Sequence, residues 1–139
     1  MCQTDIQTLL TQVNEWKNSY TNGKELHRFL MDYMPNFDEM QKASAFFVFN
    51  RITFSGTTEA GGFSKQAYND RFTSSSVERL TPFAKLLTNT QITNADYAEL
   101  LKKDSEEVFI FLDPPYFSAT KSALYGKMAN YTKRLTTKD

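Results

Sequence analysis

The sequence predicts an α/β chain, mainly helical in its N-terminal part, with a short parallel β-α-β unit near the C-terminus. Three observations carry this. Apolar residues recur at helical spacing through the first third of the chain. Val108-Phe109-Ile110-Phe111-Leu112 is an unbroken apolar run, rich in aromatic and β-branched residues, as in a strand buried on both faces. Between them, Gln91-Ile92-Thr93-Asn94 reads as a second short strand, and Tyr97 to Lys103 as the linking helix. Such a unit implies parallel pairing and a right-handed crossover.

Asp5 to Tyr20 reads as the first helix, because Ile6, Leu9, Leu10, Val13 and Trp16 share one face; Asn22-Gly23 ends it. Lys24 to Met34 is the second, with Leu26, Phe29, Leu30 and Tyr33 on one face and Pro35 as its stop. His27 stands on this helix with no second His or Cys nearby, which makes it a surface or partly packed residue rather than a metal ligand. Asn36 or Asp38 caps a third helix, Asp38 to Phe54. Ala45-Phe46-Phe47-Val48-Phe49 is dense enough for a buried strand, but Ala45, Phe49 and Ile52 keep helical spacing. Asn50 and Arg51 interrupt the apolar pattern at its end, either bonding their own loop or facing a ligand.

Ser55 to Ser76 is a polar connection with Gly56, Gly61 and Gly62, five Ser and three Thr. It is too long for an ordinary loop. Phe63, Tyr68 and Phe72 alternate there with Lys65 and Arg71, a composition suited to phosphates and base edges. Ser75-x-x-Glu78 has the form of a capping box, and Thr81-Pro82 offers a further helix start. Leu80, Phe83, Ala84 and Leu87 form an expected core stripe. Asp96 follows the first strand, where it caps the next helix, faces a ligand beside Asp113, or does both.

The 139 residues are expected to form one domain. The single cysteine, Cys2, rules out a disulfide within the chain and fits a reducing cytosol, so a cytoplasmic location is expected. From the polar start no signal peptide is expected, and no apolar run reaches the ~20 residues of a membrane span. Formal net charge is zero, but its distribution is uneven: residues 43–85 carry five basic and three acidic groups, and residues 121–139 carry five and one. Phosphate contact needs local excess of this kind, not a basic average.

The apolar run stops at Asp113-Pro114-Pro115-Tyr116. Both prolines lack a backbone N–H, so strand pairing must end there. A given tetrapeptide arises by chance in roughly one in a thousand chains of this length, so a bland proline turn is the weaker explanation. The block resembles the Asp-Pro-Pro-Tyr motif of the Dam-type DNA adenine-N6 methyltransferases. Phe49 to Thr57, Gly61 to Ser64 and Arg71 to Thr73 resemble the stretch before that motif, Ile92 to Tyr97 the strand and acidic turn between, and Ser118 to Tyr131 the loop after it. The resemblance runs from Ala43 to the end of the chain. It departs in one respect: none of the five glycines forms the Phe-x-Gly-x-Gly-like loop that binds S-adenosylmethionine in that family.

The resemblance implies a partial Rossmann-like methyltransferase with a helical region (1–54), a polar DNA-facing loop (55–76) and the catalytic-motif half of the methyltransferase sheet (77–139). It implies catalytic roles for Asp113, Pro114, Pro115 and Tyr116, and S-adenosylmethionine binding by Asp96, Tyr97 and Asp113. Contacts to double-stranded DNA fall to Arg51, Ser55, Lys65, Arg71, Lys121 and Tyr125. The expected activity is methyl transfer to a flipped adenine, with the chain a fragment or split half that is inactive alone. It then needs a missing N-terminal half, or forms a homo-oligomer. The alternative is a catalytically inactive remnant serving as a DNA-binding or interaction module.

Overall fold

A buried apolar stripe on each of three helices builds the core. The computed structural model describes residues 3–58, 61–93, 95–102 and 108–112. In it, α1 spans Gln3–Ser19, α2 Gly23–Tyr33 and α3 Glu39–Ile52. Ile6, Leu9, Val13 and Trp16 of α1 are buried, as are Leu26 and Leu30 of α2. On α3, Ala45, Val48, Phe49 and Ile52 are buried while Phe46 is exposed, a helical alternation that a strand cannot produce. α3 packs against both α1 and α2. Phe49, Leu26, Leu30 and Ile52 are fully enclosed. Each such side chain contributes about 1.5–3 kcal/mol relative to exposure. Trp16 closes one end, stacked on Phe37 at 5.5 Å and edge-on to Phe29 at 6.2 Å.

Local bonds set the helix ends. Asp38, not Asn36, caps α3 with a full capping box: its carboxylate accepts from Gln41 N at 2.7 Å, and Gln41 Oε1 accepts from Asp38 N at 3.0 Å. α1 already stops at Ser19, and Asn22 caps α2 instead, its Oδ1 accepting from Lys24 N at 3.0 Å. Gly23 therefore opens α2 rather than closing α1. It is buried, and a Cβ there would run into the ring of Tyr68, so α2 packs closely on the later chain only because this position is bare.

The stretch expected to be a polar loop contains two further helices, α4 (Lys65–Arg71) and α5 (Ser74–Glu78). Ser64 caps α4 through a bond from Ala67 N, and Thr73 caps α5 through one from Ser76 N. Thr73 is extended and Ser75 already helical, so a simple cap at Thr73 replaces the expected Ser75 capping box two residues later. Ala67 is buried, and Phe72 and Val77 join the core formed by the first three helices. α6 (Phe83–Leu86) and α7 (Tyr97–Leu101) follow. Of the expected core stripe, Leu80 packs against the core but Phe83 is half exposed.

The α/β expectation is overturned, and with it the partial Rossmann-like fold and the methyltransferase sheet assigned to 77–139. The described residues are mostly helical and include no strand or β-α-β unit; their one β-bridge pairs Thr53 with Phe63. Gln91 to Thr93 and Val108 to Leu112 have no regular structure, and all five residues of the apolar run are exposed, Phe109 at 91%. The physical reason is that a strand is a paired state. Apolar composition marks a segment able to pair, but its N–H and C=O groups need a neighbour, and none of the described residues supplies one. No helix among the described residues is long and apolar enough to cross a membrane.

Candidate nucleic-acid interface

The chain leaves α3 through a tight turn that the sequence dictates locally. Thr53 ends the helix, its buried hydroxyl donating to Phe49 O at 2.7 Å. Phe54 N donates to Gly62 O at 3.1 Å and Ser64 N to Ile52 O at 2.9 Å, which forms the antiparallel Thr53–Phe63 bridge. Next to this bridge, Ser55 (φ 53°), Gly56 (φ 69°) and Thr58 (φ 50°) are left-handed. Thr57 Oγ1 donates to Phe54 O at 2.8 Å. With its backbone held at the bridge, Phe54 presents its ring to solvent, 72% exposed.

A groove of about 320 Å³ opens beside that ring, lined by Phe54, Ser55, Ser64, Gln66, Asp70 and Arg71, with Ala67. Two expected DNA contacts, Ser55 and Arg71, thus meet in one place although they are sixteen positions apart in sequence. Arg71 arrives there because α4 packs on α3. Its Nη2 donates to Thr53 O at 2.6 Å. Lys65 lies exposed at the start of the same helix, outside the groove lining. Arg51 does not join the groove. Its guanidinium sits 5.2 Å from the centre of the Phe47 ring, a cation–π contact, and its buried Nε has no hydrogen-bond partner.

A second groove, of about 660 Å³, lies along α2 and is lined by Asn22, Lys24, Glu25, His27, Arg28 and Phe63. His27 is half-buried, edge-on to Phe49 at 5.5 Å and to Phe63 at 6.4 Å. Its Nε2 lies 3.3 Å from Gly61 O. A carbonyl can only accept, so Nε2 carries the proton.

Of the residues expected to take the methyl donor, Asp96 and Tyr97 are described, and both are exposed. Asp96 Oδ1 accepts from Ala98 N at 2.9 Å, so the residue does act as a helix cap. Asp113, Pro114, Pro115, Tyr116, Lys121 and Tyr125 lie outside the described residues. Sequence reasoning missed Phe54 as a candidate contact. A signal was present: a large aromatic beyond the last apolar position of the helix, followed by Ser-Gly, belongs to a turn and not to the core.

Residues 2–138 match the family model of the D12 class N6 adenine-specific DNA methyltransferase. The chain belongs to that family. Among curated proteins none matches it. The exposed groove thus belongs to a D12 methyltransferase, an enzyme family whose substrate is DNA and whose reaction is methylation of adenine N6. The resemblance drawn from Asp113 to Tyr116 and the blocks before it led to the same family.

Proposed function

We propose that this chain acts in site-specific methyl transfer from S-adenosylmethionine to a flipped adenine, with the Phe54 groove facing DNA. On this reading residues 1–54 are the helical region, which lends Arg51 and Phe54 to the DNA face, 55–76 carry the rest of that face and 77–139 carry the catalytic motif within one domain. The observation that supports it most is the gathering of Phe54, Ser55 and Arg71 at one groove. An exposed ring, a hydroxyl and a guanidinium suit stacking, base-edge and phosphate contacts. Lys65, Arg51, Lys121 and Tyr125 are the further DNA contacts of this proposal.

The proposed chemistry lies in the residues after Leu112. Adenine N6 is a poor nucleophile, because its lone pair is delocalised into the ring. The Asp113 carboxylate accepts one N–H and the Pro114 carbonyl the other, which turns the nitrogen lone pair towards the donor. Pro114 and Pro115 hold that carbonyl rigidly. Tyr116 stacks on the extruded base and offsets part of the few kcal/mol that flipping costs. Rate enhancement is then mainly positioning. S-adenosylmethionine supplies an electrophilic methyl group when bound. The chemistry of Asp96 and Tyr97 fits its adenosine part: a carboxylate has acceptor capacity beyond its single bond to Ala98, and the 56%-exposed Tyr97 ring offers a stacking face.

None of the five glycines stands in the spacing of a donor-binding turn, which supports a donor site completed by a second polypeptide segment or a second copy. The exposed run Val108 to Leu112 supports such association. In an active assembly containing this chain, Asp113→Ala is expected to lower methyl transfer about a hundredfold or more while DNA affinity stays near its starting value. Near-normal transfer by the Ala variant sinks the assignment.

A second reading, an inactive DNA-binding module, is favoured by the packing: among the described residues the buried apolar ones run from Ile6 to Val77 and include none from the 108–112 run. Duplex binding with no transfer in any assembly supports this second reading over the first.

A further inference from the structure

We propose that His27, Asn50 and Arg71 are positioning residues for DNA recognition, each holding one backbone carbonyl of the turn that presents Phe54. The proposal rests on the reading of the Phe54 groove as DNA-facing. The three side chains come from three helices and converge on one short stretch. Arg71 Nη2 of α4 donates to Thr53 O at 2.6 Å, Asn50 Nδ2 of α3 to Gly56 O at 3.3 Å, and His27 Nε2 of α2 to Gly61 O at 3.3 Å. Thr53, Gly56 and Gly61 span the turn on both sides of Ser55 and Thr58.

The backbone held this way is one the chain does not favour alone. Ser55 and Thr58 are non-glycine residues at positive φ, a conformation that persists only where the surroundings over-determine it. Gly56 fits the arrangement for two reasons: φ is 69° there, and a Cβ would come within 3.1 Å of Asn50 Nδ2. The holders are themselves held. His27 is wedged edge-on between Phe49 and Phe63, and Arg71 is half-buried where α4 meets α3. Each of the three bonds ends on a backbone carbonyl of the turn itself. A turn fixed before DNA arrives spares the complex the entropy of ordering it, and Phe54 meets the duplex already oriented.

The test uses the full chain, a fluorescein-labelled duplex containing adenine, amide hydrogen exchange over residues 53–64, and circular dichroism. His27→Phe keeps an aromatic edge against Phe49 but removes the donor; His27→Gln returns an N–H donor. His27→Phe is expected to speed exchange in the turn and to weaken duplex binding about tenfold with helix content retained, while His27→Gln recovers most of both. Asn50→Ala, on a different helix, is expected to give the same two changes, and its failure to do so overturns the proposal even if His27→Phe does not fold. Unchanged exchange in both variants also overturns it. So does faster exchange at full affinity while Phe54→Ala still weakens binding; that result leaves the DNA face standing. If Phe54→Ala binds the duplex as tightly as the unaltered chain, the DNA reading of the groove fails and the positioning role falls with it.

Discussion

Two regions of this chain use similar apolar residues to opposite effect. From Ile6 to Val77, large apolar side chains face one another across α1, α2, α3 and the short helices behind them. Between Phe83 and Leu112 many described ones face water: Leu86, Ile92, Tyr97, Leu101 and all of Val108 to Leu112 are exposed. The two regions do not differ in apolar appetite, since Val108-Phe109-Ile110-Phe111-Leu112 is as apolar as Ala45-Phe46-Phe47-Val48-Phe49. They differ in partners. The α3 run meets α1 and α2, whereas the described residues provide no pairing for the 108–112 run. In this methyltransferase the contrast separates the packed helical unit, which carries the Phe54 groove, from the exposed run that precedes Asp113 in sequence.

The separation can be broken most forcefully in the core. Phe49 is fully enclosed, so Phe49→Ala should cost about 3–5 kcal/mol by lost burial plus the cavity left behind. Urea unfolding followed by circular dichroism measures it. A loss below about 1 kcal/mol would mean that the helical unit is not packed as described.

A smaller effect sharpens how α2 meets α4. Two forces oppose each other in Gly23→Ala: helix propensity favours Ala by up to about 1 kcal/mol, and overpacking against the Tyr68 ring costs about 1–3. The carbon at the root of that ring stands only 2.7 Å from the added Cβ, so the ring cannot simply swing its far end away, and the overpacking should win. In a Tyr68→Ala background the same substitution should be neutral or stabilising. A penalty that persists in the double mutant would place the strain elsewhere.

The smallest effect is expected at the other extreme. Phe109 and Phe111 are 91% and 80% exposed, so changing both to Ser should leave unfolding of the helical unit within about 0.5 kcal/mol. It should also reduce self-association in light scattering. Destabilisation comparable to that of Phe49→Ala would show that the run packs on the helical unit after all, and the contrast between the regions would collapse.

What the sequence determined by itself was the part governed by near neighbours. The spacing of Ile6, Leu9, Val13 and Trp16, the stop at Pro35, the choice of helix for Ala45 to Phe49 and a cap for α3 at Asn36 or Asp38 all depend on residues within one or two turns. The Asp113 to Tyr116 block pointed to the family for a similar reason, because a chemical motif is written in consecutive letters. Tertiary structure decided what depends on distant partners. Whether Val108 to Leu112 pairs is a question about a neighbouring strand, not about its own composition. Arg71 reads as a free cation in sequence, yet it spends one donor on Thr53 O because α4 packs against α3. Gly23 reads as a helix stop, yet it begins a helix capped by Asn22, and the packing of the Tyr68 ring against it keeps the position bare. Phe54 reads as one more apolar residue of α3, yet the bridge between Thr53 and Phe63 turns it outward to the groove.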